Sequence, residues 1–475
     1  MNKNVKKLIS NLEYQVINGE LEDFSINKVC YDSREAEEGD LFICLFGARF
    51  DSHSKIEELI NKKVKALIVN RDDEYVKNYK FNTDTLVLAV EDSRKALAIV
   101  SANYFDNPTE KLKIIGVTGT KGKTTTSFMI SNILREAKHK VGLIGTIGIF
   151  YGDEHILTNN TTPESYVLQE YFRKMLDIGI EYVVMEVSSQ SLKHHRVYGI
   201  NFYFAVWTNI KSEHIGENEH DNYEDYLRSK LKIFGQCQNA LINAETDNYE
   251  DIVSEIKKHK ANLYEKKENR TFTLKIPGTY NQENASLAYE FGKAINVDDD
   301  TIRNALAKTV VPGRIETVYK DDDYTVIVDY SYDPNGAKRF LETIKNEKPK
   351  RIVTVFGCGG NRSKDRRYGM GEVCGKMADF VILTADNSRY EKTRDIIRDI
   401  ETTLTKYKKE NDTENGYVIR EDRKEAIEYA IKNRKPGDVI CVMGKGHEPM
   451  MEENGKYIRF LDKEVILDII NSLDK

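Results

Sequence analysis

The sequence is poor in cysteine, proline and tryptophan, with six, eight and one of these residues among 475. The cysteines are scattered without a C-x-x-C pair, so they indicate neither a disulfide framework nor a zinc site. The net charge is only −6 and the charges are interspersed, which argues against a nucleic-acid-binding protein. No apolar run approaches the ~20 residues that cross a bilayer, and the first residues lack an apolar signal core. We therefore expect a cytoplasmic protein with reduced thiols that binds neither nucleic acid nor membrane.

The order of apolar and helical patterns predicts the fold class. A chain of 475 residues is long enough for about three domains. Short apolar runs alternate with helical patterns throughout, which is typical of α/β domains with mainly parallel sheets. We predict three such domains: an N-terminal domain at 1–108, a central domain at 109–311 and a Rossmann-like C-terminal domain at 312–475.

The most informative stretch is GVTGTKGKTTT at residues 116–126, between an apolar run and a helical pattern. Glycines let backbone N–H groups turn towards phosphate oxygens, and the start of a helix adds partial positive charge. Lys123 can reach the terminal phosphates of a nucleotide, and the Thr124 hydroxyl can bind Mg²⁺. We predict a phosphate-binding loop (P-loop) whose ligand is ATP, although a structural turn rich in glycine and threonine is the alternative. The predicted ATP-binding residues of the loop are Gly119, Thr120, Lys121, Gly122, Lys123, Thr124 and Thr125.

Two further strand ends of the central domain carry polar groups. The run at 181–187 places Glu186 at a strand end, and the run at 204–210 leads to Glu213 and His214. Because ligands bind at the carboxyl ends of parallel strands, Glu186 and His214 are candidates for a divalent cation near the phosphates. Solvated or hydrogen-bonded groups are the alternative for both. Asn284, near a later helix start, either contacts the nucleotide base or belongs to the first helical turn.

The C-terminal domain contains four apolar runs that each end in polar residues. Apolar runs at 325–330, 351–356, 379–384 and 438–443 are each followed by a polar motif. The motifs are DYSYDPN at 329–335, GCGGNR at 357–362, DNSR at 386–389 and GKGHE at 444–448. Four such motifs at strand ends predict one site at one edge of a sheet.

Taken together, these motifs resemble the Mur ligase family, and the resemblance covers nearly the whole chain. The N-terminal domain contributes DSR at 32–34 and GDLF at 39–42. The remaining motifs are TGTKGKTT at 118–125, NTTP at 160–163, MEVSS at 185–189, HR at 195–196, TN at 208–209, YLRSK at 226–230 and GR at 313–314, besides those of the C-terminal domain.

The resemblance implies an ATP- and Mg²⁺-dependent amide ligase of peptidoglycan synthesis, which we expect to be a monomer. It implies that UDP-N-acetylmuramoyl-L-alanyl-D-glutamate receives a third amino acid, by attack of the D-Glu γ-carboxylate on ATP and displacement of the acyl phosphate by an amine. The residues implied to bind the UDP precursor are Ser33, Asn160, Thr161, Thr162, Ser188, His194 and Arg196. Those implied to bind the amino acid are Arg362, Asp386, Asn387, Ser388, Arg389, Gly444 and Glu448. Arg314 and Asp329, together with Asn284, are implied to bind ATP. The implied catalytic residues are Lys123, Lys230, His214 and Glu186. The implied metal ligands are Thr124, Glu186, His214 and Lys230, the last as a carbamate.

Three positions depart from the family pattern and leave the amino acid open. The family's Tyr-Ala-His-x-Pro is YSYDP at 330–334, Ser388 replaces a proline, and His194 replaces a glutamine. Arg389 suits the distal carboxylate of meso-diaminopimelate, or of meso-lanthionine, because a guanidinium binds a carboxylate by paired hydrogen bonds. Pairing with a neighbouring carboxylate of the chain is the alternative for Arg389. An L-lysine-adding or divergent paralogous ligase, a folylpolyglutamate synthetase and a non-ligase ATP-binding subunit are the alternatives.

Overall fold

A computed structural model of the chain describes residues 3–47, 50–213, 215–216 and 219–473. The chain forms two compact units, one of Met1–Arg270 with Asn284–Ala305 and one of Thr271–Glu283 with Leu306–Lys475. Each of the three predicted domains contains its own sheet, and the α/β fold class with mainly parallel sheets is confirmed. The domain boundaries remain predictions. Among the described residues, no helix is both long and apolar enough to traverse a bilayer.

The first sheet has five strands and lies in the N-terminal part of the first unit. The elements of this part are β1 (Lys3–Asn4), α1 (Val5–Leu8), β2 (Gln15–Asn18), β3 (Ser25–Ile26), β4 (Val29–Cys30), β5 (Leu41–Ile43), α2 (Ile56–Asn61), β6 (Ala66–Asn70), α3 (Glu74–Asn78), β7 (Leu86–Val90) and α4 (Ser93–Tyr104). The strand order is β2-β7-β6-β5-β4, parallel except for β2. All residues of β7 are buried, as expected of a strand covered on both faces.

The second sheet has eight strands and completes the first unit. Its part of the chain contains β8 (Lys113–Thr118), α5 (Lys123–Glu136), β9 (Val141–Gly145), β10 (Gly148–Tyr151), β11 (Glu154–Ile156), α6 (Ser165–Asp177), β12 (Tyr182–Glu186), α7 (Ser189–Lys193), β13 (Phe202–Trp207), α8 (Tyr223–Leu231), β14 (Cys237–Asn243), α9 (Tyr249–Lys258), β15 (Asn262–Lys266), α10 (Thr279–Ala294) and α11 (Asp299–Lys308). The order is β11-β10-β9-β12-β8-β13-β14-β15. The P-loop strand β8 therefore lies between the parallel strands β12 and β13, whose carboxyl ends reach the same edge.

The third sheet has six strands and forms the core of the second unit. Its part of the chain contains β16 (Glu316–Lys320), β17 (Tyr324–Asp329), α12 (Pro334–Asn346), β18 (Arg351–Phe356), α13 (Lys364–Met377), β19 (Phe380–Leu383), α14 (Thr393–Leu404), β20 (Tyr417–Ile419), α15 (Arg423–Lys432), β21 (Asp438–Met443), β22 (Met450–Glu453), β23 (Lys456–Arg459) and α16 (Asp462–Leu473). The order is β16-β17-β21-β18-β19-β20, and the strands from β17 to β20 are parallel. The four strands that precede the polar motifs are adjacent, so the motifs lie along one edge, as predicted.

A buried ion pair holds the backbone at the sheet edge where the four polar motifs lie. Arg423, at the start of α15, and Asp462, at the start of α16, are both fully buried and joined by two hydrogen bonds of 2.8 Å. The same guanidinium donates to the carbonyl oxygens of Ala385 and Met443, each at 3.0 Å. Because these carbonyls immediately precede Asp386 and Gly444, the pair fixes the backbone from which two motifs begin.

Candidate active site

The P-loop is built on two glycines that no other residue can replace. Gly119 and Gly122 have φ angles of 146° and 85°. Residues that carry a Cβ atom rarely adopt φ angles in this range. A Cβ on Gly119 would lie 1.9 Å from Oγ1 of Thr208, and one on Gly122 would lie 2.4 Å from Oδ1 of Asn284. The loop therefore packs directly against the end of β13 and against α10.

The residues after β13 hold the loop in shape. The Thr208 hydroxyl and the Asn209 amide donate to the carbonyl oxygen of Lys121 at 2.7 and 3.1 Å. In return, the backbone N–H of Lys121 donates to Oδ1 of Asn209 at 3.0 Å, and that of Thr120 donates to the Asn209 carbonyl at 2.9 Å. The strand predicted at 204–210 ends at Trp207: the backbone N–H of Thr208 still donates to the carbonyl of Thr118 in β8 at 2.9 Å, but the side chains of Thr208 and Asn209 bond to the loop.

Two lysines meet at the P-loop. Nζ of Lys123 donates to the carbonyl oxygens of Gly119 and Thr120 at 2.9 and 3.0 Å. Nζ of Lys230, on α8, also donates to the Gly119 carbonyl, at 2.8 Å, and the Lys230 side chain is buried. Burial, together with the charge of Lys123, lowers the pKa of Lys230 well below its ordinary value, although Glu213 opposes the shift. The neutral amine of Lys230 is thereby favoured.

Glu186, the last residue of β12, links the P-loop to its neighbours. Its Oε2 accepts from the hydroxyl of Thr124 at 2.9 Å and from that of Thr146 at 3.2 Å, and its Oε1 accepts from the Thr146 backbone N–H at 2.8 Å. The Thr146 hydroxyl also lies 3.0 Å from that of Thr161. The structure thus brings together the predicted residues Thr124, Glu186 and Thr161.

Some of the residues implied to bind the UDP precursor lie at the P-loop edge, some lie around Glu164, and two lie apart from both groups. Thr162 donates to the carbonyl of Glu186 at 2.9 Å and accepts from the backbone N–H of Ser188 at 3.0 Å, which joins the first group to the P-loop edge. Ser33 lies in the turn after β4, where its carbonyl accepts from Lys62, and Asn160 is exposed. These two are not drawn to the P-loop by any hydrogen bond among the described residues.

The second group of implied precursor-binding residues, Arg196 and His194, lies around the carboxylate of Glu164. Arg196 donates to Oε1 of Glu164 at 2.7 Å and to the Thr162 carbonyl at 3.1 Å. Arg94, from α4, lies 3.6 Å from the same Oε1 and donates to the carbonyl of Phe46. Burial, with the two guanidinium groups nearby, lowers the pKa of His194 to about 4. His194 is therefore neutral at pH 7.

The remaining predicted residues of the first unit have separate settings. Asn284 lies in the second turn of α10, not the first, and its Oδ1 accepts from the Thr126 hydroxyl at 3.3 Å. Thr125 is buried in the first turn of α5. Glu213 pairs with Lys121 at 3.1 Å. His214 lies outside the described residues.

In the second unit, Asp329 and Arg314 meet at the end of β17. The carboxylate of Asp329 accepts from the backbone N–H groups of Ile315 and Ser331 at 2.8 and 2.9 Å. Burial raises the pKa of Asp329, while Arg314 and these hydrogen bonds oppose that rise. The Arg314 guanidinium stacks on the ring of Tyr330, with its Cζ 4.8 Å from the ring centroid.

The segment 386–389 follows β19 and contacts both the 357–362 motif and β22. Arg389 donates from Nη1 to the carbonyl of Gly360 at 2.7 Å, and its Nε lies 3.3 Å from Oε2 of Glu452 in β22. Ser388 is buried, and its carbonyl lies 1.9 Å from the position of a Cβ on Gly360, so only glycine fits there. Arg362 is exposed beside this segment.

Glu448 is joined to the same segment. Its Oε2 accepts from Nδ2 of Asn387 at 2.9 Å. A Cβ on Gly444 would lie 2.6 Å from Oδ2 of Asp386, and Gly444 has a φ angle of 110°. The predicted amino-acid-binding residues from 386–389 and 444–448 therefore form one cluster with a cation, Arg389, and a carboxylate, Glu448.

Comparisons with known proteins identify the family. Residues 117–275 match the Mur ligase middle domain, and residues 313–446 match the Mur ligase, glutamate ligase domain. A Clostridium perfringens protein named UDP-N-acetylmuramoyl-L-alanyl-D-glutamate--2,6-diaminopimelate ligase is 39% identical over 98% of this chain and 99% of its own length. A protein of the same name from Caldanaerobacter subterraneus is 38% identical over 95% of this chain and 96% of its own. The chain belongs to the Mur ligase family.

Solved structures share the fold of this Mur ligase. A structure of a UDP-N-acetylmuramoyl-L-alanyl-D-glutamate--2,6-diaminopimelate ligase covers the whole of both chains, with a TM-score of 0.67 and 22% identity. The folylpolyglutamate synthase of Mycobacterium tuberculosis, complexed with ADP and AMPPCP, has a TM-score of 0.58 over 75% of this chain and 92% of its own, at 16% identity. At these identities the likeness concerns the fold alone.

The donor set at the P-loop of this Mur ligase fits Mg²⁺. The Thr124 hydroxyl and the Glu186 carboxylate lie side by side, and both are hard oxygen ligands of the kind that Mg²⁺ prefers. A carbamate on Lys230 would supply further oxygens of this type, whereas a buried ammonium would repel the cation.

Several residues of this site could not be found from the sequence motifs. Thr146 follows β9 and Arg94 follows β7, so only the fold brings them to Glu186 and Glu164. The one signal that Thr146 offered was its place directly after a buried strand, and the one that Arg94 offered was its place in the first turn of the helix after β7.

Proposed function

We propose that this chain is an ATP-dependent amide ligase that joins meso-diaminopimelate to the D-Glu γ-carboxylate of UDP-N-acetylmuramoyl-L-alanyl-D-glutamate. The observation that carries this proposal is that segment 386–389 contains the guanidinium of Arg389 and, through Asn387, holds the carboxylate of Glu448. Arg389 also pairs with Glu452 at 3.3 Å, so a substrate carboxylate would share this guanidinium with Glu452 or displace it. A diamino diacid ends in a carboxylate and an ammonium, so it matches both charges, whereas L-lysine matches only Glu448.

The residues of the first unit support activation of the precursor. A carboxylate is a poor acylating agent until its oxygen is converted into a phosphate leaving group. Lys123 is suited to offset the negative charge that accumulates as the D-Glu carboxylate attacks the terminal phosphate of ATP. Mg²⁺, when bound, supplies additional charge neutralisation at the phosphates. The incoming amine then displaces the phosphate, and no protein nucleophile is required.

Lys230 is suited to become a carbamate. Only a neutral amine attacks CO₂, and burial favours the neutral form of Lys230. The product is an anion at the P-loop, beside the carbonyl of Gly119, where it would help to hold the cation.

The test of the function is release of ADP by the full chain with ATP, Mg²⁺ and the UDP precursor. We expect release that depends on meso-diaminopimelate, with L-lysine poorer by about 10²-fold in kcat/KM. A wild-type preference for L-lysine would favour the L-lysine-adding alternative. ADP release without any amino acid would favour a non-ligase ATPase.

A further inference from the structure

The carboxylate of Glu448 is held at both oxygens. The phenol of Tyr330, which follows β17, donates to Oε1 at 2.9 Å, and Nδ2 of Asn387 donates to Oε2 at 2.9 Å. Nζ of Lys445 lies 3.6 Å from the same Oε2. Tyr330 and Glu448 are 118 positions apart in the sequence, so only the adjacency of β17 and β21 brings them together.

The ring of Tyr330 is fixed in place. The Arg314 guanidinium stacks on it with Cζ 4.8 Å from the ring centroid, and the His447 ring lies 4.7 Å away. Tyr330 is only partly exposed between these two groups. Burial, followed by the charge of Glu448, raises the pKa of Tyr330 above its ordinary value, so the phenol keeps its proton at neutral pH.

We propose that the Tyr330 hydroxyl is a positioning group that aims Glu448 at the distal ammonium of the incoming amino acid. A carboxylate has about four acceptor sites, so the hydrogen bonds from Tyr330 and Asn387 leave lone pairs for a substrate ammonium. Without the Tyr330 bond, Oε1 is released and the carboxylate can rotate away from the substrate ammonium. Lys445, whose Nζ lies 3.6 Å from Oε2 and donates to the Met450 carbonyl at 2.6 Å, is then a competing cation. This inference rests on the proposed function, because it concerns the same amino-acid site.

The direct test is Tyr330→Phe in the full-length enzyme, which removes one oxygen and keeps the ring between Arg314 and His447. With meso-diaminopimelate as the varied substrate, we expect KM to rise about tenfold, since a hydrogen bond to a charged group is lost. The KM for ATP is expected to stay within about twofold.

Tyr319→Phe is the matched control. The Tyr319 phenol also donates to a carboxylate of the same unit, Oδ2 of Asp321 at 2.8 Å, but in an exposed turn at the opposite end of the sheet. Melting temperatures of both variants show whether either loses stability. A purely structural bond at Tyr330 would lower the melting temperature and leave KM for the amino acid unchanged.

A double-mutant cycle identifies the route of the effect. If Tyr330 acts through Glu448, Tyr330→Phe adds nothing to KM once Glu448→Gln is present. Additive effects would overturn the inference, as would an unchanged KM in Tyr330→Phe. The amino acid used is whichever of meso-diaminopimelate, meso-lanthionine and L-lysine the wild type accepts, because all three have a distal ammonium. A wild type inactive with all three would overturn the proposed function itself and this inference with it.

Discussion

Lys123 and Lys230 donate to the same carbonyl oxygen, that of Gly119, at 2.9 and 2.8 Å. Two ammonium groups around one acceptor repel each other, and the repulsion is strongest where water is excluded. Lys230 is buried and its pKa is lowered, while Lys123 is partly exposed. The two lysines therefore differ in chemistry: Lys123 is suited to bind phosphate, and Lys230 to react with CO₂.

Replacing Lys123 with alanine is expected to lower ADP release by about 10²- to 10³-fold, because a charge next to the transferred phosphate is lost. The fold should be unaffected, as no core side chain is removed. The matched control is Lys211→Ala, whose amine forms an exposed ion pair with Asp247 and should change little. ADP release by Lys123→Ala at the wild-type rate would contradict the P-loop assignment.

Lys230→Ala is expected to be nearly inactive and to regain part of its activity with acetate or formate, which can replace the carbamate oxygens. Mass spectrometry of the wild type in bicarbonate buffer should show one added CO₂ on Lys230. The control is Lys266→Ala, another buried lysine, which pairs with Glu245 away from the P-loop and should not respond to these acids. Full activity of an unmodified enzyme in CO₂-free buffer would rule out the carbamate.

The sequence predicted the sheets well where an apolar run is bounded by polar residues. β18 and β21 occupy residues 351–356 and 438–443, as predicted, because each run fills a buried strand and stops at a glycine. The sequence-based prediction was wrong at the end of β13. Thr208 and Asn209 follow the apolar pattern of the strand, but their side chains bond to the P-loop. Local propensity cannot reveal such a choice, because the competing partner is a distant loop.

The site was predicted in the same uneven way. The P-loop and each of the four strand-end motifs are short continuous stretches of sequence, so their residue types and their places after apolar runs carried the information. By contrast, the Glu164 group joins Arg94 and Arg196 from distant parts of the chain, and the Tyr330–Glu448 bond joins two separate motifs. These contacts depend on strand order, which the motifs do not encode.

Arg389→Ala is expected to lower kcat/KM for meso-diaminopimelate by about 10²-fold, because the distal carboxylate loses a paired hydrogen bond. L-Lysine, which has no distal carboxylate, should be affected much less, so the preference between the two amino acids narrows. Arg459→Ala removes an exposed ion pair with Glu464 at the neighbouring hairpin and serves as control. An unchanged preference in Arg389→Ala would contradict the assignment.

His194 predicts part of the acid sensitivity of the fold. Its pKa is about 4 in the folded chain and 6.5 ordinarily, so between these values the unfolded chain binds more protons. Stability conferred by the neutral ring is therefore present above pH 6.5 and is lost as the pH falls towards 4. Melting temperatures of His194→Gln should decline less over this range than those of the wild type. His139→Gln, at a partly exposed position where the ring pairs with Glu181 at 3.0 Å, is the control, and parallel curves for all three proteins would refute the prediction.

The buried pair of Arg423 and Asp462 has a consequence for how the protein is made. Asp462 begins the last helix, and without it Arg423 would be a buried charge with no carboxylate partner. The backbone at Ala385 and Met443, and with it the segment that holds Arg389, depends on that guanidinium. During translation, the proposed amino-acid site is therefore expected to be completed only after α16 has been synthesised, whereas the P-loop, which lies earlier in the chain, does not depend on that helix.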